Sequence, residues 1–401
     1  MTDSTGVPPQ STVRRVCVVG SSFRFMSGIS MYTCCLANAF ADDYETSAVV
    51  MRRLIPRRLY PGRNRVGSKM TTMRYRDSVD VFDGIDYFWV PSIFRGIRFL
   101  MRNRPEVVVF QWWSGAVLHT YLLLAVVARL IGARIILEFH ETLDTAEARI
   151  PLAGAYVRLL GKPFMGLVSA GVVHSAGDVS AIREKYPVFR DREVAVVPMG
   201  PYDHEVDPNR RQPPKPGTFR LLYFGTIRPY KGVECLIRAF DALPDDIAQR
   251  FTLTIVGETW EGWTLPLELI NASPRRGQIT FVNDYVTDEQ AAQFFRSADG
   301  VVLPYLRSSG SGPLHMTMSH GLPVAVTAVG GLVEAVDEYT GARLVRPNDI
   351  ADLAAAIAEL PAMIGPHQDP HSWRRTTRMI ARLFEPARPP LSLLGPDMAH
   401  P

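Results

Sequence analysis

Arg228 and Lys231 are the residues of this chain whose type and spacing best suit an anion. They lie in RLLYFGTIRPYKGVECLIRAF, residues 220–240. The apolar run 221–224 stops at Gly225, and helical spacing resumes at Val233, Leu236, Ile237 and Phe240. This reads as a buried parallel strand feeding a helix through a cationic turn. In open α/β sheets such turns face the ligand crevice, and two fixed positive charges beside a helix start suit a phosphate. A second segment, RSSGSGPLHMTMSHG (307–321), alternates Ser308, Ser309 and Ser311 with Gly310 and Gly312 before a helix that starts near Pro313. Proline suits a first helical turn, and the glycines let free backbone N–H groups approach a ligand. His140 follows the strand-like ARIILEF. Trp112 and Trp113 close the run EVVVFQ, where they would suit sugar stacking on the acceptor side, a membrane interface or core packing.

The elements that must position these residues repeat in two halves. Apolar runs at 16–20, 46–50, 85–90, 106–111, 133–139, 171–175 and 194–198 alternate with helical patterns near 28–41, 93–103, 115–131, 152–169 and 178–186. After PYDHEVDPNRRQPPKPG (201–217), which has no periodicity and reads as a linker, the rhythm restarts with strands at 219–225, 251–257, 278–283, 300–305 and 323–328. Helical patterns near 232–243, 288–297, 313–320 and 349–360 accompany these strands. Continuous apolar strands alternating with helices imply parallel sheets covered on both faces. The expected fold class is therefore α/β, with two Rossmann-like doubly wound domains facing across a cleft. The first spans 13–200 and the second 218–370, and 386–401 reads as a disordered tail.

With 401 residues, 47% hydrophobic and 21% charged, the composition is that of a soluble globular protein. Its four cysteines show no disulfide or metal spacing and read as reduced thiols, so a cytoplasmic location is expected. The longest apolar stretch, 116–128, is too short to span a bilayer. The net charge of +4 is concentrated in the first half, above all between Arg52 and Arg76. With the basic amphipathic pattern at 93–103, that cluster suggests an anionic membrane surface and peripheral attachment to its inner face. Nucleic acid is disfavoured, because aromatic interleaving is missing from residues 51–69 apart from Tyr60.

From about residue 13 to 384 the ordered set of motifs resembles the GT-B fold glycosyltransferases of the family 4 type. MSGISMYT (26–33), EFHET, FGTIRPYKG, GQITFVNDYVTDEQAAQFFRSADGVVLPY and GLPVAVTAVGGLVEAV match in sequence order. SWRRTTRMIARLF resembles the terminal helix that crosses back to the first domain (371–385). The resemblance implies hexose transfer from a nucleotide diphosphate sugar, UDP- or GDP-linked, with retention of anomeric configuration and without a metal or other cofactor. The acceptor would be a glycan, a lipid-linked or a small molecule. It further implies Lys231 on the donor phosphates, with Arg228 standing in for the family arginine, whose place Thr226 takes. His140 would touch the donor sugar, and Gly28 and Gly225 would lie against the donor. Asp284 and Tyr285 would sit near the base, Glu334 would be donor-binding or act on its own helix dipole, and Glu141 would lie on the acceptor side. The family's Glu-x7-Glu pair falls on Ser308 and Met316, so neither carboxylate is present. That loss leaves a non-catalytic nucleotide-sugar-binding protein as the alternative.

Overall fold

The computed structural model describes residues 13–25, 28–54, 56, 67, 70–140, 151–203, 206, 212, 217–260 and 262–385, without the side chains of 25 and 151–153. The expectations for Glu141, for Arg57, Arg58, Arg63, Arg65 and Lys69, and for the tail 386–401 lie outside those residues.

The first sheet has seven strands: β1 (Arg15–Ser21), β2 (Glu45–Arg53), β3 (Val79–Asp86), β4 (Val107–Trp112), β5 (Arg134–Phe139), β6 (Ala170–Val173) and β7 (Val194–Val196). Their order is β3-β2-β1-β4-β5-β6-β7, all parallel. The second has β8 (Phe219–Phe224), β9 (Phe251–Val256), β10 (Ile279–Val282), β11 (Gly300–Leu303), β12 (Val324–Thr327) and β13 (Ala342–Val345). Its order, β10-β9-β8-β11-β12-β13, repeats that of the first. In each sheet the strand order reverses beside the first strand, between β1 and β4 and between β8 and β11. Such switch points open a crevice beyond the strand ends. Central strands are buried on both faces, as in the wholly buried β4, which is why they read as unbroken apolar runs.

The helices of the first half are α1 (Gly28–Phe40), α2 (Ser92–Asn103), α3 (Leu118–Leu130), α4 (Pro151–Leu167) and α5 (Ala176–Lys185). Those of the second are α6 (Val233–Asp241), α7 (Asp245–Ala248), α8 (Leu265–Ala272), α9 (Asp288–Ser297), α10 (Gly312–Ser319), α11 (Gly331–Val336) and α12 (Ile350–Glu359). A last helix, α13 (Trp373–Ala381), returns to the first domain. Ile380, Leu383 and Phe384 join the core formed by Val16, Tyr32 and Phe40. The Trp373 indole N–H donates to the Pro201 carbonyl at 2.9 Å, and Thr376 Oγ1 donates to the Pro198 carbonyl at 3.2 Å.

Three expectations need correction. The third strand is 79–86, not 85–90; VDVFDGID interleaves acids with apolar residues because β3 is an edge strand, so it lacks the apolar run of a central one. The supposed linker is structural where it leaves the first domain, since Tyr202 is 4% exposed and packs in the first-domain core. The basic cluster is partly neutralised in space: Arg52 pairs with the buried Asp86 at 2.6 Å, Arg53 reaches the same carboxylate at 3.7 Å, and Arg76 pairs with Asp42.

Gly200 lies directly under Trp373, where an added Cβ would come within 2.5 Å of the indole ring. Gly200→Ala should therefore lift α13 and cost about 1–3 kcal/mol, the usual range for overpacking. Chemical denaturation would read this as a lower midpoint at an unchanged slope.

Candidate functional site

The site gathers at the β8/β11 switch point around one buried ring. Tyr305, fully buried just beyond β11, has the Lys231 ammonium 3.6 Å from its ring centroid. Its hydroxyl accepts from Ser311 Oγ at 3.3 Å. Gly225, at φ 132°, ends β8, and a Cβ there would stand 3.9 Å from that hydroxyl and 3.4 Å from Pro313. Lys231, Gly225 and the start of α10 thus converge on Tyr305. Ser311 caps α10 by accepting from the Leu314 N–H at 3.2 Å, and Gly312 and Pro313 form the first turn. That arrangement turns the remaining N–H groups and the positive end of the helix toward the crevice.

Cations surround the neighbouring Tyr230. Arg307, which the sequence reading missed, lies 4.7 Å from that ring, and Lys231 lies 5.3 Å from it. Arg228 stacks on Trp260 at 3.9 Å, and its buried Nε has no hydrogen-bond partner among the described residues. Guanidinium stacking of this kind fixes a charge while leaving its edge available for a ligand.

The serine-glycine loop is held from both domains. Ser308 Oγ donates to the Gly310 carbonyl at 2.7 Å, and Ser309 Oγ donates to Asp178 of α5 at 3.2 Å. Tyr202 joins the starts of two facing helices: its hydroxyl donates to the Gly28 carbonyl at 3.2 Å, and its ring lies 3.6 Å from the Cβ position of Gly312. Met316 packs against the cores of both domains.

Several site expectations change. Trp112 is 6% exposed and stacks on Phe164 at 5.9 Å, so it is core; both faces of the central strand β4 are covered. Trp113 is half-buried, edge-on to Tyr121 at 6.2 Å. Glu334, in the first turn of α11, also reaches across to the other domain: its Oε1 accepts from the Ala176 N–H, at the start of α5, at 3.0 Å. Asp284 is exposed and accepts from the Tyr285 N–H at 2.8 Å, while Tyr285 packs against the first-domain core. His140 is buried with both ring nitrogens engaged, Nε2 2.5 Å from Gln111 Oε1 and Nδ1 3.2 Å from His174 Nε2, so neither is open to a sugar hydroxyl. Burial, and then the charge of His174, holds the His140 imidazole well below its ordinary range. Glu138, raised by burial, accepts from Tyr32 Oη at 2.6 Å and from Gln111 Nε2 at 2.8 Å. Sequence spacing gave no hint of His174, because it joins His140 only through adjacent strands β5 and β6.

Two facing parallel sheets of this order, with the last helix returned to the first, define the GT-B class of fold. Residues 218–362, the second domain, match the model of the family Glycosyl transferases group 1. The chain is 29% identical over 140 residues to O-antigen chain mannosyltransferase B of Escherichia coli, covering 34% of this chain and 35% of that protein. It is 34% identical over 161 residues to D-inositol 3-phosphate glycosyltransferase of Pseudarthrobacter chlorophenolicus, covering 39% and 36%. The chain thus spans about a third of the length of these curated relatives. The Anabaena Alr3699/HepE structure, in complex with UDP and glucose, superposes with a TM-score of 0.58 at 13% identity, covering 93% of this chain and 96% of that one.

His315, on α10, is 2% exposed and faces His371 at a ring separation of 5.0 Å. Burial first, then the charges of His371 and His174, hold its imidazole well below the ordinary range. The unfolded chain therefore takes up this proton first as pH falls, and stability present above about pH 6.5 is lost below it. Stability should be flat from pH 7 to 8 and fall below pH 6, by up to about 1.4 kcal/mol per pH unit for one such group, seen as a falling melting temperature. His315→Gln should reduce that slope in a pH series of thermal melts without abolishing it, since His140 is depressed in the same sense.

Proposed function

We propose that this protein transfers a hexose from a UDP- or GDP-linked donor to a glycan, lipid-linked or small-molecule acceptor, with retention of anomeric configuration. The convergence of Lys231, Gly225 and the α10 start on Tyr305 carries this reading. A pyrophosphate seated there meets a fixed ammonium, a helix N-terminus and the Arg228 guanidinium. Its distal phosphate gains charge as the anomeric C–O bond breaks, so cations fixed at that position stabilise the transition state more than the ground state. The acceptor oxygen forms its new bond on the face the phosphate leaves, and its proton passes to the released nucleotide diphosphate. No metal enters this step, because the protein's own charges hold the diphosphate.

The match of the second domain and the glycosyltransferase relatives support catalysis rather than binding alone. Ser308 and Met316, in place of two glutamates, serve the loop and the domain contact, which shifts donor recognition to other groups.

A peripheral, inner-face membrane site is part of the proposal. Among the described residues no helix is long and apolar enough to cross a membrane. Phe88, Val90 and Phe94 are 47%, 65% and 67% exposed, and Arg95 and Arg98 stand exposed on the same stretch as Phe94. Exposed apolar side chains among arginines suit an anionic lipid surface.

Three experiments test these readings. Lys231→Ala should cut donor turnover at least 100-fold and leave the melting temperature nearly unchanged; equal losses in both would make the lysine structural. In the unsubstituted protein a screen of UDP-, GDP-, ADP- and dTDP-sugars should find one that adds about 2.7 kcal/mol of stability at 100 times its dissociation constant. Phe94→Ser with Arg98→Glu should abolish co-sedimentation with phosphatidylserine vesicles at low salt, and sedimentation that ignores anionic lipid would refute the membrane reading.

A further inference from the structure

His140 follows β5 and His174 follows β6, and their rings meet with His140 Nδ1 3.2 Å from His174 Nε2. The far nitrogen of each ring faces an oxygen: His140 Nε2 faces Gln111 Oε1 at 2.5 Å, and His174 Nδ1 faces the Val197 carbonyl at 2.9 Å. An amide or backbone carbonyl oxygen only accepts, so each far nitrogen carries the hydrogen. A neutral imidazole has one N–H. The two facing nitrogens therefore both present lone pairs, and two lone pairs at 3.2 Å repel unless a cation lies between them.

Glu138 supplies a carboxylate to the same place. It lies two residues before His140, fully buried, and one ligand atom each from Glu138, His140 and His174 can be chosen all within 4.8 Å of one another. We propose that Glu138, His140 and His174 bind one zinc-type divalent ion. Two metal–nitrogen bonds of about 2.0–2.1 Å at a tetrahedral angle span roughly 3.3 Å, which matches the observed separation. The surroundings also fit. Ligating histidines donate their other N–H to a carbonyl or carboxylate, and ligating carboxylates are themselves hydrogen-bonded. Here Gln111 Oε1 and the Val197 carbonyl take the outer N–H groups, and Tyr32 and Gln111 donate to Glu138. Two imidazoles and one carboxylate, with a fourth position open, are a donor set that zinc takes. The ion locks the ends of β5 and β6 and fixes His140, and it takes no part in holding the diphosphate.

The competitor for the same gap is a proton. A shared proton makes the pair an imidazolium, and turning the Gln111 amide over gives a neutral chain once Glu138 is protonated. Untagged protein analysed by plasma mass spectrometry after gel filtration should contain about one zinc per chain. Dialysis against a strong chelator should remove it and lower the melting temperature, and added zinc should restore both. Cobalt(II) added to the stripped wild-type protein should give the intense visible bands of a tetrahedral site, a readout that needs no variant. Glu138→Gln and His174→Gln should each weaken zinc binding at least 10-fold. Lys231→Ala should retain the ion, so this result stands apart from the test of transfer. A folded wild-type protein that takes up neither zinc nor cobalt stoichiometrically, or whose bound metal survives both substitutions, overturns the proposal.

Discussion

The turn that carries Lys231 rests directly on the end of the neighbouring strand, and only a residue without a side chain permits it. Gly232 follows that lysine at φ 64°, and a Cβ there would stand 2.0 Å from the Pro304 carbonyl oxygen. The contact is sealed by the Leu306 N–H donating to the Tyr230 carbonyl at 2.9 Å. Because β8 and β11 are adjacent at the switch point, this close approach sets the ammonium over Tyr305. The order of strands, the glycine and the buried tyrosine together place a charge that the turn alone could not hold. A positive φ at this position costs glycine little and any other residue much more.

Much of the fold was legible because central parallel strands must be apolar on both faces. The run VVVFQW, buried along its whole length, carries that signal most clearly. Helix starts opened by a proline were equally visible, as at Pro313. The sequence said less wherever a residue's partner lies in another element. Trp112 ends a strand covered on both faces and packs on Phe164 of α4, which a paired tryptophan does not reveal. Glu334 follows two glycines in a short helix, yet its carboxylate completes the hydrogen bonding of a helix in the other domain. Tyr202 sits among prolines and charges, and no period marks it as the residue joining α1 to α10. Short β13 and the helices α7, α8 and α11 escaped for a related reason, since four to eight residues give little room for a period.

The missing carboxylates also acquire a physical account. Ser308 spends its hydroxyl on the carbonyl of Gly310 and its own carbonyl on the Gly331 N–H at 3.2 Å. Gly330 and Gly331 approach the backbone of Ser308 and Ser309 too closely for side chains. The loop is thus shaped by backbone packing, and the serines reinforce that shape. Met316, flexible and apolar, fills the seam between the two cores where a glutamate would bring a charge out of water.

The return of α13 has a mechanical consequence. The chain leaves the first domain just after Pro201 and comes back at Trp373, and the indole–carbonyl bond ties these two passages side by side. Two tethers fastened at one point behave like paired pins in a door. They allow one lobe to swing about the line through the pins while resisting twist and sideways slip.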